Sequence, residues 1–322
     1  MFYALNAAIS PESLVELGFG YAHVRMRRSS LSSSKLELRP AWTRRLLGQS
    51  LLALGAGTLL SGCRKSSALS AQRAVEHVKL LKKAVLEDVE EVNNGLPRGA
   101  ELLTEYFATG SLEDASALGT ALEKTRNKVQ DLRSCKATFF ALTDPSSLVL
   151  RSDQRPDLLA GRSLNEAFPE LQRVFTGASV RTRGRIQQAA TVPRPDAQWL
   201  AAEPIRVAGV IKGAYVAGWS WSGYAYRLEN QLRSSVRSTV TPPDKEPLLY
   251  VYVLVEDQAF FAKISPEVTG RELVAQRLFE QAKADAIISR ESEITGRDFG
   301  IAFTRTPELG DNVGIAVVRS ET

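Results

Sequence analysis

The residue in this sequence best placed to do chemistry is a thiol. Cys63 closes the stretch Leu60-Ser61-Gly62-Cys63 and is followed by Arg64 and Lys65. Upstream, Thr43, Arg44 and Arg45 precede the run Leu46 to Leu60, which holds no charged residue. A basic segment, an apolar segment and small residues before a cut are the marks of an export signal. The apolar run is ~15 residues, short of the ~20 that a helix needs to cross a bilayer core, and Gly48, Gly55 and Gly57 dilute it further.

Beyond that thiol, the catalytic repertoire is thin. Downstream of Cys63 the sequence has one histidine, His77, and one further cysteine, Cys135. No HExxH, no paired Cys/His cluster, no Asp-rich calcium loop, no P-loop and no dinucleotide fingerprint occurs, so neither metal nor cofactor is expected. Ser-His-Asp or Cys-His catalysis would need His77, which reads as an exposed helix residue among lysines. The carboxylate pairs Glu87-Asp88 and Glu90-Glu91 read as solvated charge on a helix face. The expectation is a protein that is not an enzyme, with an envelope hydrolase as a minor rival. If Cys63 is modified, Cys135 is the one free thiol left and no intramolecular disulfide is possible, so stability must come from a packed core, for which about 260 residues are ample.

The charge balance must be read from Cys63 onward. The full chain is formally +5, but seven of its 41 Lys/Arg and three of its 36 Asp/Glu precede Cys63, which leaves the rest near +1. That removes the electrostatic footprint of a nucleic-acid binder. The cluster Arg181, Arg183, Arg185 is the local exception, and it reads as alternate residues on the solvated face of a strand.

The pattern around Cys63 resembles the signal peptide and lipobox of a bacterial lipoprotein. The resemblance implies that Cys63 carries acyl chains, palmitate among them. Residues 1–62 are then a removed signal peptide and the protein is anchored to a membrane without spanning it. Thr43-Arg44-Arg45-Leu46-Leu47 is also similar to the twin-arginine export motif, and export by that route or by general secretion stays open. Arg64 and Lys65 stand where an inner-membrane-retained lipoprotein has Asp, which implies anchoring at the outer membrane, with the inner membrane as the alternative. Met26 would open a signal of ordinary length, so the true start is expected there or at Met1.

Residues 63–70 read as a polar tether. From Ala71, Val75, Val78, Leu81, Val85, Val89 and Val92 recur at helical spacing, up to stop signals at Asn94-Gly95 and Pro97, with a short helix expected near Ala100 to Phe107. Ser111, with Asp114 three residues on, is expected to cap a helix whose seam is Ala115, Leu118, Leu122, Thr125, Val129 and Leu132. That seam is expected to pack on the first helix and the sheet.

Strands follow: a hairpin over Thr138–Thr143 and Leu148–Ser152, a short helix Leu164–Phe175 interrupted at Pro169, and a strand Val180–Ile186. A loop over Ala189–Ala197 leads to a second hairpin, Trp199–Val207 and Val210–Trp219. Its outgoing strand is almost wholly apolar and so is expected to be central. A helix Tyr224–Val236 leads to the boundary Thr241-Pro242-Pro243-Asp244. Beyond it, strands at Leu248–Val255, Ala259–Ile264, Phe299–Thr304 and Val313–Val318 and a helix at Arg271–Ala284 make a β-β-α-β-β unit.

The order of long helix, hairpin, short helix, loop and hairpin resembles a Cache-type extracellular sensor, a relative of the PAS fold. Three stretches carry the likeness: Phe139–Asp144 with Leu148–Asp153, Leu159-Ala160-Gly161-Arg162-Ser163-Leu164, and Ala202-Glu203-Pro204-Ile205 leading into Ile211–Val216. At Ser147 that family places Gly, so a turn without positive φ is expected. The implied architecture is α+β: a Cache-like antiparallel sheet with long N-terminal helices over 71–240, then a smaller α+β unit over 241–322.

Such domains bind small molecules in a pocket between the sheet and the long loop covering it. The candidate ligand contacts are Arg151, for a carboxylate, Asp153, for an amine, and Trp199, Tyr215 and Trp219, for an apolar wall or cation-π face. The expected function is a lipid-anchored, extracytoplasmic, ligand-binding protein that signals through an envelope partner. The alternative is a structural or assembly lipoprotein whose pocket is filled by side chains.

Overall fold

The computed structural model describes residues 61–110, 112–187, 195–238, 246–283 and 286–321. The stretch read as an export signal, Ser111, most of the 189–197 loop and the boundary expected at 241–244 lie outside them. So does the side chain of Cys63, whose backbone is the third residue of a helix.

That helix, α1 (Ser61–Thr109), is continuous over 49 residues. At ~1.5 Å per residue it is on the order of 70 Å long. The backbone of 63–70, expected as a tether, lies in its first turns, and the stop signals at Asn94-Gly95 and Pro97 do not end it. The reason is packing. A Cβ on Gly95 would lie 2.6 Å from Leu132 Cδ2, and one on Gly99 would lie 2.5 Å from the Tyr215 ring. The two glycines, one helical turn apart, make a flat face on which those side chains sit. Pro97 lies on the exposed side between them, where a missing backbone N–H is least harmful.

The first sheet holds β1 (Phe139–Thr143), β2 (Val149–Ser152), β3 (Val180–Ile186), β4 (Asp196–Val207) and β5 (Val210–Ser220), in the order β2-β1-β5-β4-β3. Every pairing is antiparallel, and β5 is central as its apolar run requires. The second sheet holds β6 (Leu248–Val255), β7 (Gln258–Phe261), β8 (Ile287–Ile294), β9 (Arg297–Arg305) and β10 (Val313–Ser320), in the order β7-β6-β10-β9-β8. Counted within itself, each sheet has the same strand order, so one plan is used twice.

The smaller unit has one strand more than its sequence suggests, β8. Its Arg290, Glu291 and Glu293 sit on an edge strand, where charge guards against strand addition and hides the apolar signal.

Both sheets lie on α1. Tyr215, Ala217 and Trp219 of β5, and Val251 and Val253 of β6, share a single core with Val78, Leu81, Val85 and Val92 of α1. The first half of α1 crosses β9 and β10, and a Cβ on Gly300 would fall 2.0 Å from the Ala71 backbone nitrogen. Its second half crosses β4 and β5. The far face of each sheet has its own core. On the first sheet the long connection after β2 supplies Leu159, Leu164, Phe168, Leu171 and Val174. On the second, α5 (Glu267–Ala275) and α6 (Leu278–Gln281) supply Leu273 and Leu278.

Other local differences have simple causes. Helix α2 (Ala115–Lys128) is capped by Asp114, whose carboxylate accepts from Ser116 and Ala117 N–H at 2.9 and 3.0 Å. The seam continues after a break at Val129 into α3 (Gln130–Ser134). Ala115 is exposed, while Leu118, Leu122, Thr125, Val129 and Leu132 are buried. Pro169 does not interrupt a helix but starts a 3-10 turn, Pro169–Thr176, where its fixed φ and missing N–H cost nothing. The helix α4 (Trp221–Arg237) begins at Ser220, whose hydroxyl accepts from Gly223 N–H.

Ser147, expected in a turn without positive φ, takes the left-handed backbone instead, with φ 67°. Its N–H donates to Asp144 O and its carbonyl accepts from Leu164 N–H, so the strained conformation is held from both sides.

Candidate functional site

The five candidate ligand contacts fall into two groups. Trp199, Tyr215 and Trp219 are fully buried on the α1 side of the first sheet. Alternation along β4 and β5 aims them there, and the register sets Trp199 opposite Trp219. Their rings stack at 4.4 Å, and Tyr224 of α4 continues the stack onto Trp219 at 4.7 Å with an interplanar angle of 4°. Tyr215 stacks on Phe140 at 5.7 Å. The Tyr215 hydroxyl and Trp219 Nε1 are buried polar atoms without a hydrogen-bond partner among the described residues. Burial raises the Tyr215 phenol far above its ordinary range.

Arg151 and Asp153 lie at the β2 edge, beside α2. Arg151 faces Asp157 at 3.5 Å, and its Nε makes no hydrogen bond. Asp153 accepts from Arg126 at 3.0 Å and from Phe140 N–H at 2.9 Å. The Arg126 guanidinium in turn lies over the Phe140 ring, 5.2 Å from its centroid. The negative charge of Asp153 also adds to the upward shift of the Tyr215 phenol.

A buried charged triad was not expected. Asp88 reads in sequence as solvated, yet it is 2 % exposed. It accepts from Lys136 at 2.5 Å and from Tyr224 Oη at 2.8 Å. Burial raises its carboxyl, and Lys136 and Tyr224 work against that rise. The signal was present: 81, 85, 88 and 92 trace one helical face, and Asp88 stands on it between Val85 and Val92.

His77, expected to be exposed, is half-buried, with Nδ1 unpartnered. Burial, then the charges of Arg319 and Arg73, bring it down to about 4. Cys135 is buried and its thiol is pushed up to about 11 by desolvation, so it is protonated at neutral pH.

Among the described residues no group of His, Cys, Asp and Glu is arranged to hold a metal ion, and no helix is long and apolar enough to cross a membrane. The loop-side face of the first sheet, where the Cache likeness places a pocket, is occupied by Leu159, Leu164, Phe168, Leu171 and Val174.

No protein-family model and no curated protein matches the sequence. Solved structures do match. One is the extracellular domain of a protein assigned as a histidine kinase, vpHK1S-Z8, with a TM-score of 0.54 and 13% identity over 80% of this chain and 93% of that one. Another is a domain of a sensory box/GGDEF family protein from Vibrio parahaemolyticus, with a TM-score of 0.51 and 12% identity over 80% and 98%. A third is an extracellular ligand-binding receptor from Desulfohalobium retbaense, with a TM-score of 0.48 and 11% identity over 76% of this chain, which spans 40% of that receptor's length. At such identities the first two define the fold, which is α+β of the PAS/Cache kind found in extracellular sensor domains.

Proposed function

We propose that this protein is an extracytoplasmic sensory lipoprotein: a twofold PAS/Cache-like body, held to the membrane by acyl chains on Cys63, that binds a small molecule and reports it to an envelope partner. One observation carries the reading. Two sheets of identical strand order share one core with a single helix, an arrangement through which a ligand on one sheet would act on the other. In this reading the first sheet is the ligand-facing unit. Arg151, partly exposed and short of a hydrogen bond, and Asp153 supply the charged contacts, with the Trp199, Tyr215 and Trp219 layer as the rigid backing. The lipid would hold the protein at the outer or inner membrane, facing the periplasm or exterior. The body works without catalysis or cofactor.

The test is a thermal-shift screen of small metabolites on the purified protein, in which a ligand at 100 times its Kd adds ~2.7 kcal/mol of stability. In parallel, Cys63→Ser should move the protein from envelope pellets to the soluble fraction. A Cys63→Ser protein that still pellets, or a native protein whose N-terminus is intact, rejects the anchor.

The packed loop-side face favours a second reading. With five apolar side chains filling it, the fold can serve protein contact alone, as an assembly lipoprotein. Failure of every metabolite, together with stoichiometric co-purification of one envelope protein, would select that reading.

A further inference from the structure

Arg181 and Arg185 are exposed, as on a solvated strand face, but Arg183 between them is partly covered. β3 is the edge strand of the first sheet, and on this side it faces the turn between β6 and β7 of the second. The three guanidiniums line an open cleft of about 480 Å3 whose apolar wall includes Trp221 and Phe260. Along a strand, residues two apart share a face at ~7 Å spacing, so the three form a ladder of positive charge.

The ladder is poorly neutralised. Arg181 Nε donates to the amide oxygen of Asn93 at 2.7 Å, and Arg185 Nη2 to the amide oxygen of Gln258 at 3.0 Å; both partners are neutral. Arg183 has one carboxylate nearby, Glu256, at 3.7 Å, beyond hydrogen-bond reach, and that side chain is 61% exposed. Arg183 Nη1 is a buried nitrogen without a partner among the described residues. The other carboxylate on the wall, Glu170, accepts from the Thr182 hydroxyl at 2.8 Å.

A buried guanidinium nitrogen left unpaired is costly, and a planar fork presenting parallel N–H groups matches a carboxylate. We propose that this cleft is a binding site for a small di- or tricarboxylate, which pairs with Arg183 and a neighbouring arginine and displaces Glu256. The apolar wall suits the methylenes between the carboxyl groups. This goes beyond the sensor reading, since the cleft is built from both sheets and runs along the outer edge of β3, away from Arg151 and Asp153 at the opposite, β2 edge of the first sheet. Arg183 to Glu256 and Arg185 to Gln258 are also contacts between the two sheets, so an anion that takes Arg183 competes with the link between them.

The test is calorimetric titration of the purified full chain with sodium succinate, sodium citrate and sodium phosphate at matched ionic strength, with sodium chloride as blank. Saturable binding of succinate or citrate is expected. Arg183→Gln should weaken it by about tenfold or more, because a charge-assisted pair is lost. Glu256→Gln should tighten it several-fold by removing the internal competitor. If Arg183→Gln does not fold by circular dichroism, Arg181→Gln and Glu256→Gln carry the same comparison.

The proposal is overturned by the absence of saturable carboxylate binding, by affinities that these variants leave unchanged, or by phosphate binding more tightly than either carboxylate. A metabolite that stabilises wild type and Arg183→Gln alike would leave the sensor reading standing and remove this site.

Discussion

Replacing Lys136 by Met isolates a charge inside the protein. Asp88 is 2 % exposed and has two side-chain donors, Lys136 at 2.5 Å and Tyr224 at 2.8 Å. Breaking a buried ion pair by removing one partner costs ~3–5 kcal/mol. The Lys136 side chain is 23% exposed and the Tyr224 hydroxyl stays in place, so the expected loss lies at the lower end, about 3 kcal/mol at pH 7.5.

The pH dependence gives the mechanism away. Burial already raises the Asp88 carboxyl above its unfolded value, and losing Lys136 raises it further. Between the unfolded and folded values the native state then binds more protons than the unfolded one, so stability falls as pH rises through that window. The penalty of Lys136→Met should therefore shrink on acidification. Asp88→Asn in the same background, which removes the charge but keeps an acceptor for Tyr224, should recover most of the loss. The assay is urea unfolding of wild type, Lys136→Met, Asp88→Asn and the double variant at pH 7.5 and pH 5. A loss under about 1 kcal/mol, the range of an exposed pair, or a penalty indifferent to pH, would refute the buried-charge argument.

Three further outcomes follow from packing and titration. Gly300→Ala places a methyl 2.0 Å from the Ala71 nitrogen and 2.2 Å from the Ser70 carbonyl carbon, both backbone; α1 must lift, and a loss of about 3 kcal/mol is expected in urea unfolding. Ser147→Gly relieves a left-handed serine, and its midpoint should rise by an amount equivalent to ~0.5–1 kcal/mol, less what the 3.4 Å contact from Gln172 contributes. For His77, brought down to about 4 from 6.5, the native state binds fewer protons than the unfolded one between those values. Stability should thus decline as pH falls from 6.5 to 4, and His77→Gln should flatten that part of the profile.

What could be read in the sequence was whatever local chemistry decides. The apolar stripe of α1 and the continuous run of β5 carry their own pattern, and each appears where that pattern puts it; the turn after β1 is in its expected place, but with a positive φ at Ser147. What could not be read depends on segments far apart in the chain. Gly95 and Pro97 look like a stop until Leu132 and Tyr215 arrive to pack there. β8 looks like a polar loop because its charges belong to a sheet edge. Arg183 looks as solvated as Arg181 and Arg185 because nothing near it in sequence announces the β6–β7 turn. Asp88 was legible by position on the stripe, but its partners, Lys136 and Tyr224, come from other elements.

The order in which the chain is written has a consequence for how it folds. The opening turns of α1, from Ala71 to Val85, are covered by β9 and β10, the last strands to be synthesised. As the chain is synthesised its helix appears well before that cover, with Ala74, Val78, Leu81 and Val85 bare in the interval. Closing this core therefore waits for the C-terminal strands, a pairing distant in sequence that is slow to form and leaves an apolar stripe open to wrong partners meanwhile.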